Sequence, residues 1–199
     1  MQGISNQIMA KARAGILRPR DLAAIPSARR HLAELVQAGK LTKIGRGLYQ
    51  AGDFPVTEHH SLAETAKRFP GGVICLLSAL QFHGLTLELP SEVWVAIRRG
   101  KAIPRTNDRH LRVFQISEPM FAAGIETHDI EGVPVRIYSA AKTVADCFRF
   151  RSHIGSAVAF EALKNAWQSG KASGNELVRC AKLCRVLAVM EPYLETLTL

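Results

Sequence analysis

The stretch from Ser27 to Ala51 constrains this chain more than any other. Ser27 is a residue type that caps helices, and Ala28, Leu32, Leu35 and Val36 then fall on one helical stripe. Arg30, Glu34 and Gln37 point the opposite way, with Arg29 and His31 flanking the stripe. Gly39 supplies the stop. Lys40 to Ile44 reads as a strand, Gly45-Arg46-Gly47 as a tight turn, and Leu48 to Ala51 as the return strand. Upstream, Ile4, Ile8, Ala12 and Ile16 recur at helical spacing, and Gly15 closes that helix. Pro19 suits the first turn of a second helix, which Pro26 ends. A bracing helix, a Pro-containing turn, a helix with a polar outer face and a basic-tipped hairpin form the order of a winged helix-turn-helix.

Charge agrees with that order. The 199 residues carry a net charge of +9, unevenly distributed. Residues 1–53 hold nine Lys or Arg against three Asp or Glu, and residues 98–112 hold six against one. Two basic islands in an otherwise near-neutral chain favour a polyanionic partner. In the first island Lys40, Lys43 and Arg46 are the expected phosphate contacts. Arg30 and Gln37 are the expected base readers, since Arg suits guanine and Gln adenine in the major groove. Ser27, Arg29, His31 and Glu34 complete the expected DNA-binding surface. The second island comprises Arg98, Arg99, Lys101, Arg105, Arg109 and Arg112. It fits a solvated loop and a second nucleic-acid contact equally well.

Asp53-Phe54-Pro55 is the expected linker, dividing a DNA-binding domain (1–53) from a C-terminal domain (54–199). Ser61 with Glu64 matches a capping box, so a helix is expected to about Phe69. Val73 to Leu77, Glu92 to Arg98, Leu111 to Ile116, Thr127 to Ile130 and Val133 to Tyr138 read as strands, the last two joined at Glu131-Gly132. Helices are expected from Ser78 to Gly84 and over about 140–150, 156–168 and 175–188. Ser173 and Glu176 cap the last of these. The expected fold class is α/β (α+β): an N-terminal winged helix-turn-helix followed by a small mixed sheet flanked by helices.

The C-terminal region offers little chemistry. Ser139 and Lys142 form an SxxK tetrad, but the partner motifs of that site are missing and Ser139 reads as a helix cap. His59, His60 and His83 lack ligand spacing, and Asp129 and Glu131 sit across a turn. Cys75, Cys147, Cys180 and Cys184 read as reduced thiols of a cytoplasmic protein, because no apolar leader is evident at the N-terminus. No cofactor, metal or enzymatic activity is expected.

Leu41 to Tyr49, Ser78 to Thr86, and Tyr138 to Arg151 followed by Ile154-Gly155 closely resemble the AbiEi family of antitoxins. These are the transcriptional-regulator halves of type IV toxin–antitoxin systems in abortive phage infection. The resemblance covers nearly the whole chain and is most specific from Val135 to Leu163. It implies a repressor of its own promoter, acting at inverted repeats. It also implies a C-terminal domain that helps neutralise a nucleotidyltransferase toxin without a stable complex, and it supplies no catalytic residue. Two other readings stay open at this stage. One is a simple winged-helix regulator whose C-terminal domain binds a ligand or dimerises. The other is an enzyme, such as a nuclease or nucleotidyltransferase, which would require a carboxylate cluster.

Overall fold

A computed structural model describes residues 2–103 and 110–197. The chain divides into two compact units, residues 1–70 with 129–135 and residues 71–128 with 136–199. The linker expected at 53–55 therefore lies inside the first unit, where Phe54 packs on its core.

In the first unit, α1 (Gln2–Arg13) is followed by a 3-10 turn (Pro19–Leu22), α2 (Ala28–Gln37), β1 (Leu41–Gly45), β2 (Leu48–Ala51) and α3 (His60–Arg68). Helical spacing delivers the core: Ile8 and Ala12 of α1 meet Leu22, Leu32, Leu35 and Leu41, with Ile4 packed at the edge. Pro19 starts the 3-10 turn, where its missing N–H costs no hydrogen bond. β1 and β2 pair antiparallel with Leu41 opposite Ala51, and Leu17 bridges the outer side of β2 at Tyr49. The capping box expected at Ser61 and Glu64 does not form. The helix begins two residues earlier, with His59 at the cap position, and Glu64 pairs with Arg68 instead.

The turn at Glu131-Gly132 counts with this unit. Glu131 has φ +54 and its side chain is 1% exposed. Its carboxylate accepts from Thr57 N (2.7 Å), Thr57 Oγ1 (3.0 Å) and His60 Nδ1 (2.7 Å). A Cβ at Gly132 would run into the Ala14 carbonyl, so the turn tolerates no larger residue there.

The second unit is built on β3 (Val73–Ile74), β4 (Val93–Arg98) and β5 (Leu111–Ile116). The sheet also includes β6 (Ile125–Ile130) and β7 (Val133–Tyr138), in the order β5-β4-β3-β7-β6. It is mixed: β3 runs antiparallel to β4 and parallel to β7, while β4 and β5 are parallel. Helices α4 (Leu76–Phe82), α5 (Ala140–Arg149), α6 (Arg151–Ile154), α7 (Ser156–Gln168), α8 (Gly174–Leu183) and α9 (Leu187–Leu197) complete it. Two expectations differ. The strand expected over 73–77 stops at Ile74, because Leu76 turns to φ +48 and opens α4. The single helix expected to residue 188 breaks at Arg185 (φ +56), and α9 follows.

Nine of the ten residues of α5 are buried, so this helix is the centre of the second core. Lys142 and Asp146 lie four apart within it, both wholly buried and 2.5 Å apart. The Lys142 ammonium also lies 4.2 Å from the centroid of the Tyr138 ring. The Cys184 thiol donates to the second Asp146 oxygen at 3.4 Å. Burial pushes the Asp146 carboxyl above its usual range, partly offset by Lys142.

Candidate nucleic-acid interface

α2 and the β1–β2 hairpin present most of the basic groups expected from the sequence. Along α2, Ala28, Leu32 and Leu35 turn inward, and Arg29, Arg30, Glu34 and Gln37 are exposed. Arg30 Nε meets Glu34 at 2.8 Å, one turn apart. At that exposure the pair is weak, and a competing phosphate or base edge can displace it. His31 does not share this face. It is buried, with Nδ1 3.1 Å from the Ser27 carbonyl, because its position on the helix lies beside the apolar stripe.

Ser27 stands at the head of α2, but its side chain makes no capping bond. Its backbone is left-handed (φ +56), and its carbonyl accepts from Arg30 N and His31 N. A non-glycine residue held there stores roughly 1 kcal/mol of strain. The Ser27 carbonyl, rather than its side chain, thus covers one first-turn donor of α2, that of Arg30.

The hairpin is tight. Gly45 pairs with Leu48, leaving Arg46 and Gly47 at the tip, and Gly47 (φ +69) supplies the reversal. Lys43 and Arg46 are exposed there, and Lys40 is exposed just before β1. Among the described residues none of these three has an ion-pair partner.

Sequence reasoning passed over Arg20. It sits in the 3-10 turn, exposed and without an ion pair among the described residues, just upstream of α2. Its neighbours are differently engaged. Arg18 grips Asp21 at 3.1 Å and the Lys67 carbonyl at 2.6 Å, and Lys67 meets Asp21 at 3.0 Å. Burial works against the Asp21 carboxylate, but the hydrogen bonds from Arg18 and Lys67 prevail and hold it below its usual range. Alternation of free and engaged arginines within three residues leaves no periodic signal in the sequence.

The second island is only partly free. Arg98 pairs with Glu118 at 2.9 Å, and Arg112 lies 4.4 Å over the Trp94 ring. Arg99 and Lys101 are exposed without ion pairs among the described residues. Arg105 and Arg109 lie outside the described residues.

The other candidates for chemistry have structural partners. Ser139 Oγ accepts from Lys142 N at 3.3 Å, as a helix cap does. Asp129 accepts from Gly132 N at 3.1 Å within its own turn. All four cysteines are buried free thiols, and burial pushes Cys184 up to about 12. Among the described residues no group of His, Cys, Asp and Glu is placed to hold a metal, and no helix is long and apolar enough to cross a membrane.

The fold has a relative among solved structures. The chain is similar to the crystal structure of the RV2827C protein from Mycobacterium tuberculosis, with a TM-score of 0.64 over 98% of this chain and 80% of that one. The two are 12% identical, so the likeness is one of fold. The N-terminal segment is similar to a known family. Residues 7–52 match the family described as "Transcriptional regulator, AbiEi antitoxin", in agreement with the resemblance read from the sequence. The matched stretch spans α1 to β2 and so includes the basic face just described. It does not reach Val135 to Leu163, where that resemblance is most specific. No curated protein matches the chain.

Proposed function

We propose that residues 7–52 form a winged helix-turn-helix that binds double-stranded DNA, and that the chain is a repressor of its own promoter and the antitoxin of a type IV system. α2 enters the major groove, with Arg30 and Gln37 on base edges. The Arg46 tip meets the backbone or minor groove, and Arg20, Lys40 and Lys43 hold phosphates. His31 supports α2 from inside rather than touching DNA. The partner is a nucleotidyltransferase toxin in the same cytoplasm, counteracted without a stable complex, and the chain itself catalyses nothing.

One observation carries this reading: the segment that matches a family of transcriptional regulators is the one that exposes unpaired Lys40, Lys43 and Arg46 beside the polar face of α2. The test is a gel-shift titration of the full chain on the DNA upstream of its gene, over a series of salt concentrations. Binding should weaken steeply with salt as condensed counterions are displaced. Salt-independent binding, or none, would sink the DNA assignment. A toxin gene adjacent to this one, and rescue of cells expressing it, tests the antitoxin half separately.

A further inference from the structure

The second unit contains a cavity of about 290 Å³ whose polar wall is formed by Arg99, Arg149, Gln115 and Ser117 and whose apolar wall includes Met120 and Phe150. It opens at the carboxyl ends of the parallel pair β4 and β5. Arg98 and Ile116 are in register there, Arg99 follows β4 and Ser117 follows β5. Ligands of α/β sheets favour this end of parallel strands.

Arg99 and Arg149 both line this cavity, and none of its described lining residues is acidic. Glu118, next along the chain from Ser117, is held by Arg98, and Asp146, whose charge reaches Arg149, is held by Lys142. Neither lining arginine has a carboxylate in the described cavity wall, and an anion there would be attracted to both. The donors are also partly fixed in advance. Arg149 Nη1 donates to the Cys184 carbonyl at 3.0 Å, which anchors that guanidinium and leaves its other N–H groups available. The Arg99 backbone N–H donates to Ile116 O at 2.8 Å, extending the strand pairing, while the side chain has no ion pair among the described residues. Gln115 Nε2 donates to the Lys101 carbonyl at 3.2 Å, which sets the orientation of its amide. The Ser117 hydroxyl has no hydrogen-bond partner among the described residues.

We infer that this cavity binds a small phosphomonoester. The phosphate lies between Arg99 and Arg149 and accepts from the Ser117 hydroxyl, and the organic part rests on Met120 and Phe150. Planar, forked guanidinium donors match phosphate oxygens two at a time. The volume lies at the lower end for small-molecule pockets, which run from about 300 to 1,000 Å³, and so favours a compact ligand of mononucleotide size or less. The site lies outside the matched segment and does not depend on the DNA-binding reading.

Calorimetric titration of the full chain with inorganic phosphate, and separately with adenosine 5′-monophosphate, tests this at constant ionic strength in chloride. Saturable binding of at least one probe is expected. Arg99→Ala should weaken it about tenfold or more, as loss of a charge-assisted contact does. Arg179→Ala should leave it unchanged. Arg149 also holds the Cys184 carbonyl, so Arg149→Lys serves as the second variant, with its melting curve checked; a weaker affinity at an unchanged melting temperature supports the site. Absence of saturable binding by both probes, or binding that survives Arg99→Ala, overturns the inference. Weakened binding of a random-sequence duplex by Arg99→Ala, with neither small probe binding, also overturns it and makes the cavity a contact for nucleic-acid backbone.

Discussion

The α2 and hairpin face of the first unit and the interior of the second use their cations in opposite ways. In the first, Arg29, Arg30, Lys40, Lys43 and Arg46 lie on the surface, and only Arg30 has an ion partner, a solvent-exposed one. In the second, Lys142 is wholly buried against Asp146, Arg112 lies over Trp94, Arg98 is paired with Glu118, and Arg149 and Arg151 donate to backbone carbonyls. Positive charge in the sequence therefore marks a free basic surface only where the fold gives it no internal partner. The first basic island meets that condition except at Arg18, with solvent-exposed pairs at Arg13 and Arg30, and the second meets it at Arg99 and Lys101 among its described members.

The contrast is sharpest at the buried pair. Lys142→Met leaves Asp146 buried without its cation, and such breaks cost about 3–5 kcal/mol. The double variant Lys142→Met with Asp146→Leu should recover much of that loss, because apolar replacement of a buried pair is often neutral. Arg30→Ala, which removes an exposed pair of the same spacing, should change stability by less than about 0.5 kcal/mol. Urea titrations of the four proteins measure all of this. Equal losses for Lys142→Met and Arg30→Ala would erase the distinction between the units.

A smaller effect is expected at Glu131, the buried acid of the first unit. Burial works against its charged form, but donors from Thr57 and His60 outweigh that and hold its carboxyl below the usual glutamate range. A lowered folded-state value means that the stabilisation is complete above the ordinary glutamate range. It is lost as pH falls through the lowered value. Glu131→Gln should cost about 1–3 kcal/mol at neutral pH and should flatten the acid limb of the stability curve. An acid limb identical to that of the parent chain would show that the carboxylate contributes nothing to this turn.

How much of this was legible beforehand follows from what each feature depends on. The hairpin, the outer face of α2 and the strands Leu111–Ile116 and Val133–Tyr138 came from period and turn chemistry, which are local. So did the cap at Ser173, where Ser173 N donates to Glu176 at 2.9 Å. The inward turn of His31 was not legible, because a residue flanking the stripe can face either way until its neighbours close over it. Glu131 was visible only as one of two acids beside a turn, since its donors Thr57 and His60 lie more than seventy residues away. Lys142 and Asp146 had helical spacing for a surface pair, and only the packing around α5 buries them. The break at Arg185 went unread because arginine gives no sign of a left-handed backbone.

On DNA, the exposed groups of the first unit should separate by role. Arg30→Ala should relax preference at one base position by about 1–3 kcal/mol. Arg46→Ala should weaken specific and random duplexes alike and lower the salt slope by about one unit. Arg20→Ala should behave as Arg46→Ala does. His31→Ala should act through stability, leaving base preference intact in whatever fraction remains folded. If both Arg30→Ala and Arg46→Ala bind as the parent chain does, α2 and the hairpin are not the reading surface.

The least effect on DNA is expected from the second island. Neutralising Arg98, Arg99 and Lys101 together removes three charges, but they are not equivalent. Arg98 already faces Glu118, so its removal exposes a carboxylate while deleting a cation, and the local charge changes without vacating a phosphate contact. Arg99 belongs to the proposed phosphomonoester cavity, where its loss should register in small-ligand binding. Lys101 alone is left to act on a duplex. If the island touched DNA through all three, the salt slope would fall by roughly three units; if through Lys101 only, by about one. The triple variant should therefore lower the slope by about one unit or less, with promoter repression kept. Lys101→Ala alone should reproduce whatever change is seen. A fall near three units would place the second island on the DNA, and the division between a surface-charged reader and an internally engaged second unit would fail at that face.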